Sequence, residues 1–167
     1  MKNKVSLLGL FTAFLIVTSW IKIPTPFGVP FTLQVFGVIL TIYFLKKDAW
    51  KAILIYVLLG ALGLPVFAGF SGGISVIFGP TGGYIIGFLL ATLVAFLPFE
   101  NIINGFLAIL IIYIFGVSGL MINLDLSLIK AIKIGFLPFV LFDSLKVILG
   151  YYTYKLTQKY EFNILKN

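Results

Sequence analysis

The stretch GFLPFVLFDSLKVILGYY, residues 135–152, places two charged side chains, Asp143 and Lys146, inside an otherwise apolar run. A charged residue at the centre of a bilayer costs at least about 2.5–3.5 kcal/mol on insertion scales. Side chains three residues apart on a helix project from the same face, so these two can pair. The stretch predicts a membrane span whose charged face points into the protein. The pair either orients the helix or binds a ligand there, and we favour the ligand because intramembrane charges are usually functional.

Lipid is the solvent that the composition predicts for much of the chain. Hydrophobic residues make up 61% of the 167 residues and charged residues 10%. An ordinary soluble domain is roughly 45–50% apolar and about 25% charged. The N-terminal lysines and the apolar run behind them also resemble a signal peptide. That run continues to Trp20 without a small-residue cleavage site, so we interpret it as the first span.

Six apolar segments are candidates for membrane-spanning helices, which need about 20 residues each. The second and third are short and need tilt or a locally thin bilayer. Pro138 is expected in the first turn of the sixth, which places Asp143 five residues further on, in the outer third of the membrane. We predict an all-α membrane protein with a single integral membrane domain over residues 1–167. Its spans are predicted at about 5–23, 31–45, 50–64, 83–97, 102–120 and 134–156.

Two connecting segments are rich in proline and glycine and cannot form regular helix. The first is IPTPFGVP at 23–30, and the second is LPVFAGFSGGISVIFGPTGG at 64–83. The second is apolar as well as glycine-rich, unlike a solvated linker. Irregular backbone near membrane depth must be satisfied by protein or by a water-filled cavity. We therefore expect this segment to pack on the helix bundle as a lid or re-entrant piece.

The distribution of lysines predicts the orientation of the spans. With six spans both termini lie on one side, and cytoplasmic segments carry the excess of positive charge. That side carries Lys2, Lys4, Lys46, Lys47, Lys51, Lys155, Lys159 and Lys166, against Lys22, Lys130 and Lys133 on the other. We expect cytoplasmic termini, a multi-pass location in the cell membrane, and extracellular loops at 24–30 and 65–82.

The residue inventory excludes several kinds of chemistry. The chain has no Cys and no His, which removes thiol nucleophiles, imidazole bases and the usual zinc ligands. We predict that the chain has no metal site, needs no cofactor and is not an enzyme. The glycine-rich segment lacks the GK[ST] of a phosphate-binding loop, so the chain cannot hydrolyse ATP by itself. A passive channel is not favoured, because a channel would need polar residues on several spans. The net charge of +7 reflects topology rather than a nucleic-acid partner.

Four groups of residues resemble the biotin-specific substrate-capture subunits of energy-coupling-factor (ECF) transporters, the BioY family, over nearly the whole chain. They are PFTLQ at 30–34, GLPVFAG at 63–69 with SGG at 71–73, GPTGGY at 79–84, and PFxxxDxxK from Pro138 to Lys146. The resemblance implies a six-helix S-component fold with an occluded biotin site near the outer surface. It also implies a coupling transmembrane subunit and two ATPase subunits as partners.

The resemblance implies roles for single residues as well. Asp143 and Lys146 would bind the ureido ring of biotin, and Ser71 would supply a further polar contact. Ile85 occupies a position that is basic in some members, and this chain has no Arg. Gly9 and Ala13, which form a small-xxx-small pair, would dock onto the coupling subunit. The expected substrate-binding set is Asp143, Lys146, Ser71, Gln34, Tyr84, Phe67, Gly72 and Gly73.

Biotin also suits these residues on chemical grounds. Its ureido ring offers two N–H donors, which suit a carboxylate, and a carbonyl acceptor, which suits an ammonium. The bicyclic ring and valeryl chain suit an apolar lining from Phe67 and Phe70. The amide of Gln34 can donate and accept, although it could equally be a surface residue. An S component for another vitamin, such as thiamine or riboflavin, is the alternative, and an intramembrane enzyme is less favoured.

Overall fold

The computed structural model of the chain describes residues 2–26 and 28–164. Met1, Phe27 of the expected loop 24–30, and residues 165–167 of the predicted domain lie outside the described residues. The expected cytoplasmic Lys166 lies outside them as well, and so does the side chain of Lys2.

Helices account for most of the described chain. The α-helices are α1 Lys2–Trp20, α2 Gln34–Leu45, α3 Ala49–Ala61, α4 Ile74–Ile77, α5 Gly82–Ala91, α6 Asn101–Leu124, α7 Leu128–Gly135 and α8 Val140–Ile164. Two 3₁₀ segments, Lys46–Asp48 and Thr92–Phe96, follow α2 and α5. Strands β1 Lys22–Ile23 and β2 Phe31–Thr32 pair antiparallel, with Lys22 opposite Thr32.

Each of the six predicted spans contains a helix, but several of the predicted segments are not helical throughout. Residues 22–23 and 31–32 form the β-ribbon instead of extending α1 and α2. Prolines at 24, 26 and 30 prevent helix between them, and the flanking residues satisfy their backbone across the ribbon. The predicted sixth span is divided, because turns at 136–139 separate α7 from α8.

Length and apolar composition alone identify few of these helices as spans. Among the described residues, Asn101–Leu124 is the one helix of at least 18 residues that is apolar enough to cross a membrane. The apolar segments Lys4–Trp20 and Gly82–Phe96 are shorter. The number of spans and their orientation therefore stay predictions.

The glycine-rich segment packs on the bundle, as its apolar residues predict. The indole N–H of Trp20 donates to the carbonyl of Pro65 (2.8 Å), and the Trp20 ring stacks on Phe70 with centroids 4.9 Å apart. The ring of Phe67 is buried against Gly60, where a Cβ would collide with it. These contacts hold the glycine-rich segment over the C-terminal ends of α1 and α3. The segment therefore covers the space between the helices.

Helices α5 and α6 approach each other closely through glycine. A Cβ on Gly83 would collide with the Phe115 carbonyl of α6, and a Cβ on Gly119 would lie 2.9 Å from the Cα of Gly83. Small residues of this kind let helix backbones approach in lipid, where van der Waals packing drives association. The close pair fixes one wall of the space under the glycine-rich segment.

Candidate ligand-binding site

A cavity of about 270 Å³ lies between α2, α5, α6 and α8, beneath the β-ribbon and the glycine-rich segment. Its lining is mostly apolar, with a few polar groups placed among the apolar ones, which is the usual composition of a small-molecule site. Among the residues predicted from the sequence it contains Gln34, Phe67, Ser71, Tyr84, Asp143 and Lys146. The fold thus brings six predicted residues from distant parts of the chain to one cavity.

Asp143 is the buried anion of this cavity. Its side chain is held in the first turn of α8, and the residue is 4% exposed. Lys146 Nζ donates to Oδ1 (2.6 Å) and the Tyr113 hydroxyl donates to Oδ2 (2.6 Å). The positive end of the helix dipole adds to this stabilisation of a carboxylate. Because α8 begins at Val140, Asp143 lies nearer its helix start than the sequence predicted.

Lys146 links the carboxylate to the β-ribbon. Its ammonium donates to the backbone carbonyl of Thr32 (2.7 Å) as well as to Asp143. An ammonium has three N–H donors, so one remains to point at a ligand in the cavity. The carboxylate oxygens likewise have about four lone-pair sites between them, of which two are used here. The ion pair can therefore donate and accept further hydrogen bonds without being broken.

Helix α2 contributes one polar side chain, that of Gln34, to the cavity wall. Gln34 is buried, and its Nε2 donates to the hydroxyl of Tyr56 (2.5 Å). The Tyr56 ring meets Phe67 edge to face, with centroids 5.4 Å apart. Gln34 is therefore not a surface residue. Its amide carbonyl oxygen is a group on the cavity wall with capacity to accept a hydrogen bond.

Two other predicted residues use their hydroxyls on the backbone. Tyr84 donates to the carbonyl of Gly135 (2.7 Å), which ties α5 to the end of α7. Ser71 donates to the carbonyl of Ala68 (3.1 Å) within the glycine-rich segment. Both residues line the cavity, and each hydroxyl oxygen can still accept.

Several other predicted residues lie away from the cavity lining. The amide of Gly73 donates to the carbonyl of Gly60 (2.7 Å), and a Cβ on Gly72 would collide with the carbonyl of Leu64. These two glycines shape the segment rather than line the cavity. Phe70, expected in the apolar lining, is 62% exposed and stacks on Trp20 instead.

The docking residues predicted on α1 lie on an outer surface. Gly9 and Ala13 are both exposed, and a Cβ on Gly9 would meet nothing within 4 Å. Neither lines the cavity. A partner could therefore approach this part of α1 without touching the ligand site.

Sequence reasoning missed Tyr113, Tyr56 and Lys22 as residues of the site or its surroundings. Tyr113 and Tyr56 stand in the middle of apolar runs, in ILIIYIFG and ILIYVLL, far from the span ends where tyrosines anchor at interfaces. A phenol at mid-span needs a polar partner, and this signal could have identified both. Lys22 was assigned only to the charge balance of the loops, because nothing local shows that β1 borders a cavity.

The fold and the site together define a class of protein. The helices leave many large apolar side chains exposed, and they surround a cavity that contains a buried ion pair. These features are those of a helical membrane protein that binds a small ligand. The chain belongs to the BioY family, whose family model matches residues 2–161.

Similar proteins cover most of the chain. It is 47% identical over 150 residues to "Biotin transporter BioY" of Thermotoga maritima, covering 85% of this chain and 88% of that protein. It is 46% identical over 147 residues to "Probable biotin transporter BioY" of Pyrococcus horikoshii, covering 86% and 89%. The fold matches a crystal structure of "the S-component for biotin from an ECF-type ABC transporter" with a TM-score of 0.85 and 25% identity, over 94% and 91% of the two chains.

Proposed function

We propose that this chain captures biotin in the cavity and acts as the substrate-binding component of an ECF transporter. The observation that carries the proposal is the Asp143–Lys146 ion pair in the lining of an otherwise apolar cavity. Similar proteins are named as biotin transporters, and the matching fold is that of a biotin S component. The chain itself performs no catalysis in this proposal and needs no cofactor or metal.

The ion pair offers the two kinds of group that a ureido ring requires. The unused lone pairs of the Asp143 carboxylate accept from the ring N–H groups, and the third N–H of Lys146 donates to the ring carbonyl. The Tyr113 hydroxyl and the Thr32 carbonyl hold the two charged groups in place before the ligand arrives. A preorganised pair loses little conformational entropy on binding. Phe67, Phe88 and Ile112 supply apolar surface for the rest of the ligand.

The membrane arrangement is part of the same proposal. The chain forms one integral membrane domain with six spans, cytoplasmic termini, and extracellular loops at 24–30 and 65–82 in the cell membrane. Exposed leucines on several helices, such as Leu10, Leu58, Leu110 and Leu149, support contact with lipid. The 12 and 13 residues of α2 and α3 extend only about 18–20 Å. The bilayer therefore thins locally, or flanking residues extend these spans.

The chain reaches its energy source through protein partners. The proposed partners are a coupling transmembrane subunit and two ATPase subunits, with lipid around the helices and no nucleic acid. Exposed Gly9 and Ala13 on α1 supply the small-residue surface on which the coupling subunit packs. In this proposal the ATPase subunits hydrolyse ATP, because the glycine-rich segment of this chain lacks the GK[ST] of a phosphate-binding loop.

Replacement of Gly9 by Leu is expected to impair docking and to leave ligand capture intact. A large side chain at a close helix contact costs about 1–3 kcal/mol, so the yield of the chain co-purified with its coupling subunit should fall roughly tenfold. Biotin affinity of the isolated chain should not change. Thr153→Leu, on the exposed part of α8, is the matched control. Undiminished co-purification of the Gly9→Leu chain would exclude this surface as the docking site.

Equilibrium binding to the detergent-purified chain tests the proposed ligand. Biotin should bind saturably at one site per chain, whereas thiamine and riboflavin should neither bind nor compete. Neither vitamin carries a cyclic urea with two N–H donors beside one carbonyl. Thiamine is a cation, and riboflavin has a larger polar ring system. Saturable binding of either in place of biotin would favour the alternative, an S component for another vitamin.

A further inference from the structure

Lys22 is the charged residue in the described cavity lining that the ureido site does not use. The three charged residues there are Lys22, Asp143 and Lys146. Asp143 and Lys146 pair with each other, and among the residues whose side chains the structure describes, 4–26 and 28–159, no ion pair involves Lys22. The lining therefore carries one net positive charge, and that charge belongs to Lys22.

Lys22 is exposed to solvent, whereas the ion pair is largely buried. Asp143 is 4% exposed, whereas Lys22 is exposed on strand β1. The ribbon joins the two regions, since Lys22 lies opposite Thr32, whose carbonyl accepts from Lys146. The cavity thus has a buried end with a neutral ion pair and an exposed rim with a free ammonium.

Gly69 provides the space that the Lys22 side chain occupies. A Cβ built on Gly69 would lie 2.7 Å from Cδ of Lys22 and 3.0 Å from its Nζ. Gly69 also has a φ of +71°, a conformation that side-chain-bearing residues rarely adopt. The stem of Lys22 therefore lies across the backbone of the glycine-rich segment. Its ammonium is held beside the part of that segment that lines the cavity with Phe67, Ala68 and Ser71.

Apart from Lys22 and Lys146, the described lining offers no cation for an anionic ligand. Ile85 lines the cavity and is 4% exposed, so it contributes to the apolar wall. Biotin carries its carboxylate on the valeryl chain, at the end remote from the ureido ring. If the ureido ring lies against the ion pair, the valeryl chain of biotin points toward the rim of the cavity. There Lys22 supplies the charge that a monoanionic ligand requires.

We propose that Lys22 binds the carboxylate of the ligand at the rim of the cavity and makes the site selective for the free acid. The inference rests on the proposed function, because it assumes that biotin occupies the cavity. It assigns ring recognition to the buried ion pair and charge recognition to a residue of the β-ribbon.

Two ligands and three variants test this assignment on the purified full chain. The ligands are biotin and its methyl ester, which keeps the ring and removes the anionic end. Lys22→Gln removes the charge and Lys22→Arg keeps it, while Lys130→Gln removes an exposed lysine of α7 that does not line the cavity. Thermal unfolding of each variant shows whether it is folded before affinities are compared.

Lys22→Gln should weaken biotin about tenfold, the lower end for a hydrogen bond to a charged group because Lys22 is exposed to water. It should leave the affinity for the methyl ester unchanged. Lys22→Arg and Lys130→Gln should bind biotin like the unmodified chain. The unmodified chain itself should prefer biotin over the ester about tenfold, which tests the proposal even if Lys22→Gln fails to fold.

Two results would overturn the assignment while the proposed function stands. They are biotin binding with unchanged affinity to folded Lys22→Gln, and equal affinities of the unmodified chain for biotin and its ester. Absence of biotin binding to the unmodified chain would instead overturn the proposed function, and this inference with it.

Discussion

Asp143→Asn should lower the affinity of the purified chain for biotin about 100-fold, or about 2.7 kcal/mol. The amide keeps the shape of the carboxylate but replaces one acceptor oxygen by a donor. That NH₂ group would face the ring N–H donors of biotin and the Tyr113 hydroxyl, so two acceptor positions are lost together. Equilibrium binding of biotin to both chains in the same detergent measures the difference.

Asp125→Asn is the matched control for this substitution. Asp125 ends α6 in a left-handed conformation with a φ of 50°, which Asn tolerates well, and it does not line the cavity. The control makes the same chemical change and should bind biotin normally. Because Asp143→Asn also deprives Lys146 of its carboxylate, size-exclusion chromatography and thermal unfolding must first show a folded chain. Unchanged affinity in a folded Asp143→Asn chain would remove the ion pair from the site.

The sequence predicted the helical segments well because each depends on a local apolar run. It predicted the ends of the helices poorly where the backbone forms hydrogen bonds with residues distant in the sequence. Residues 22–23 look like the end of an apolar span, and only their pairing with 31–32 makes them strand. Pro138 was expected inside the first turn of the last span, whereas turns at 136–139 precede α8. A single sequence does not show which of two proline-compatible arrangements the tertiary contacts favour.

The candidate site was partly predictable for a related reason. Charges are rare in an apolar chain, so Asp143 and Lys146 were conspicuous without any structure. Tyr113 was missed: its place at mid-span indicates that it needs a polar partner, but the sequence does not show that this partner is Asp143, 30 residues away. The glycines at 72 and 73 were assigned to the ligand because they belong to the SGG motif on which the family resemblance rests. Their backbones instead fit against Leu64 and Gly60, which spacing alone does not reveal.

Lys146→Met should have the second large effect, on stability as well as on binding. Methionine can fill the space of the lysine stem, but it leaves the Asp143 carboxylate buried with the Tyr113 hydroxyl as its remaining side-chain donor. Breaking one side of a buried ion pair typically costs about 3–5 kcal/mol. We expect a loss near the lower figure, because the Lys146 side chain is 14% exposed. Lys146→Met should therefore lower the midpoint of thermal unfolding and abolish measurable biotin binding.

The double variant Asp143→Asn with Lys146→Met separates these two consequences. With no charge left at either position, the chain should recover to within about 1 kcal/mol of the unmodified stability, since neutral replacements of a buried pair are often tolerated. Biotin binding should not recover, because neither the acceptor for the ring N–H groups nor the donor for its carbonyl is restored. A double variant less stable than both single variants would mean that the charges stabilise the fold independently. Recovered binding would mean that the pair serves only to hold α8 against the β-ribbon, where Lys146 contacts Thr32.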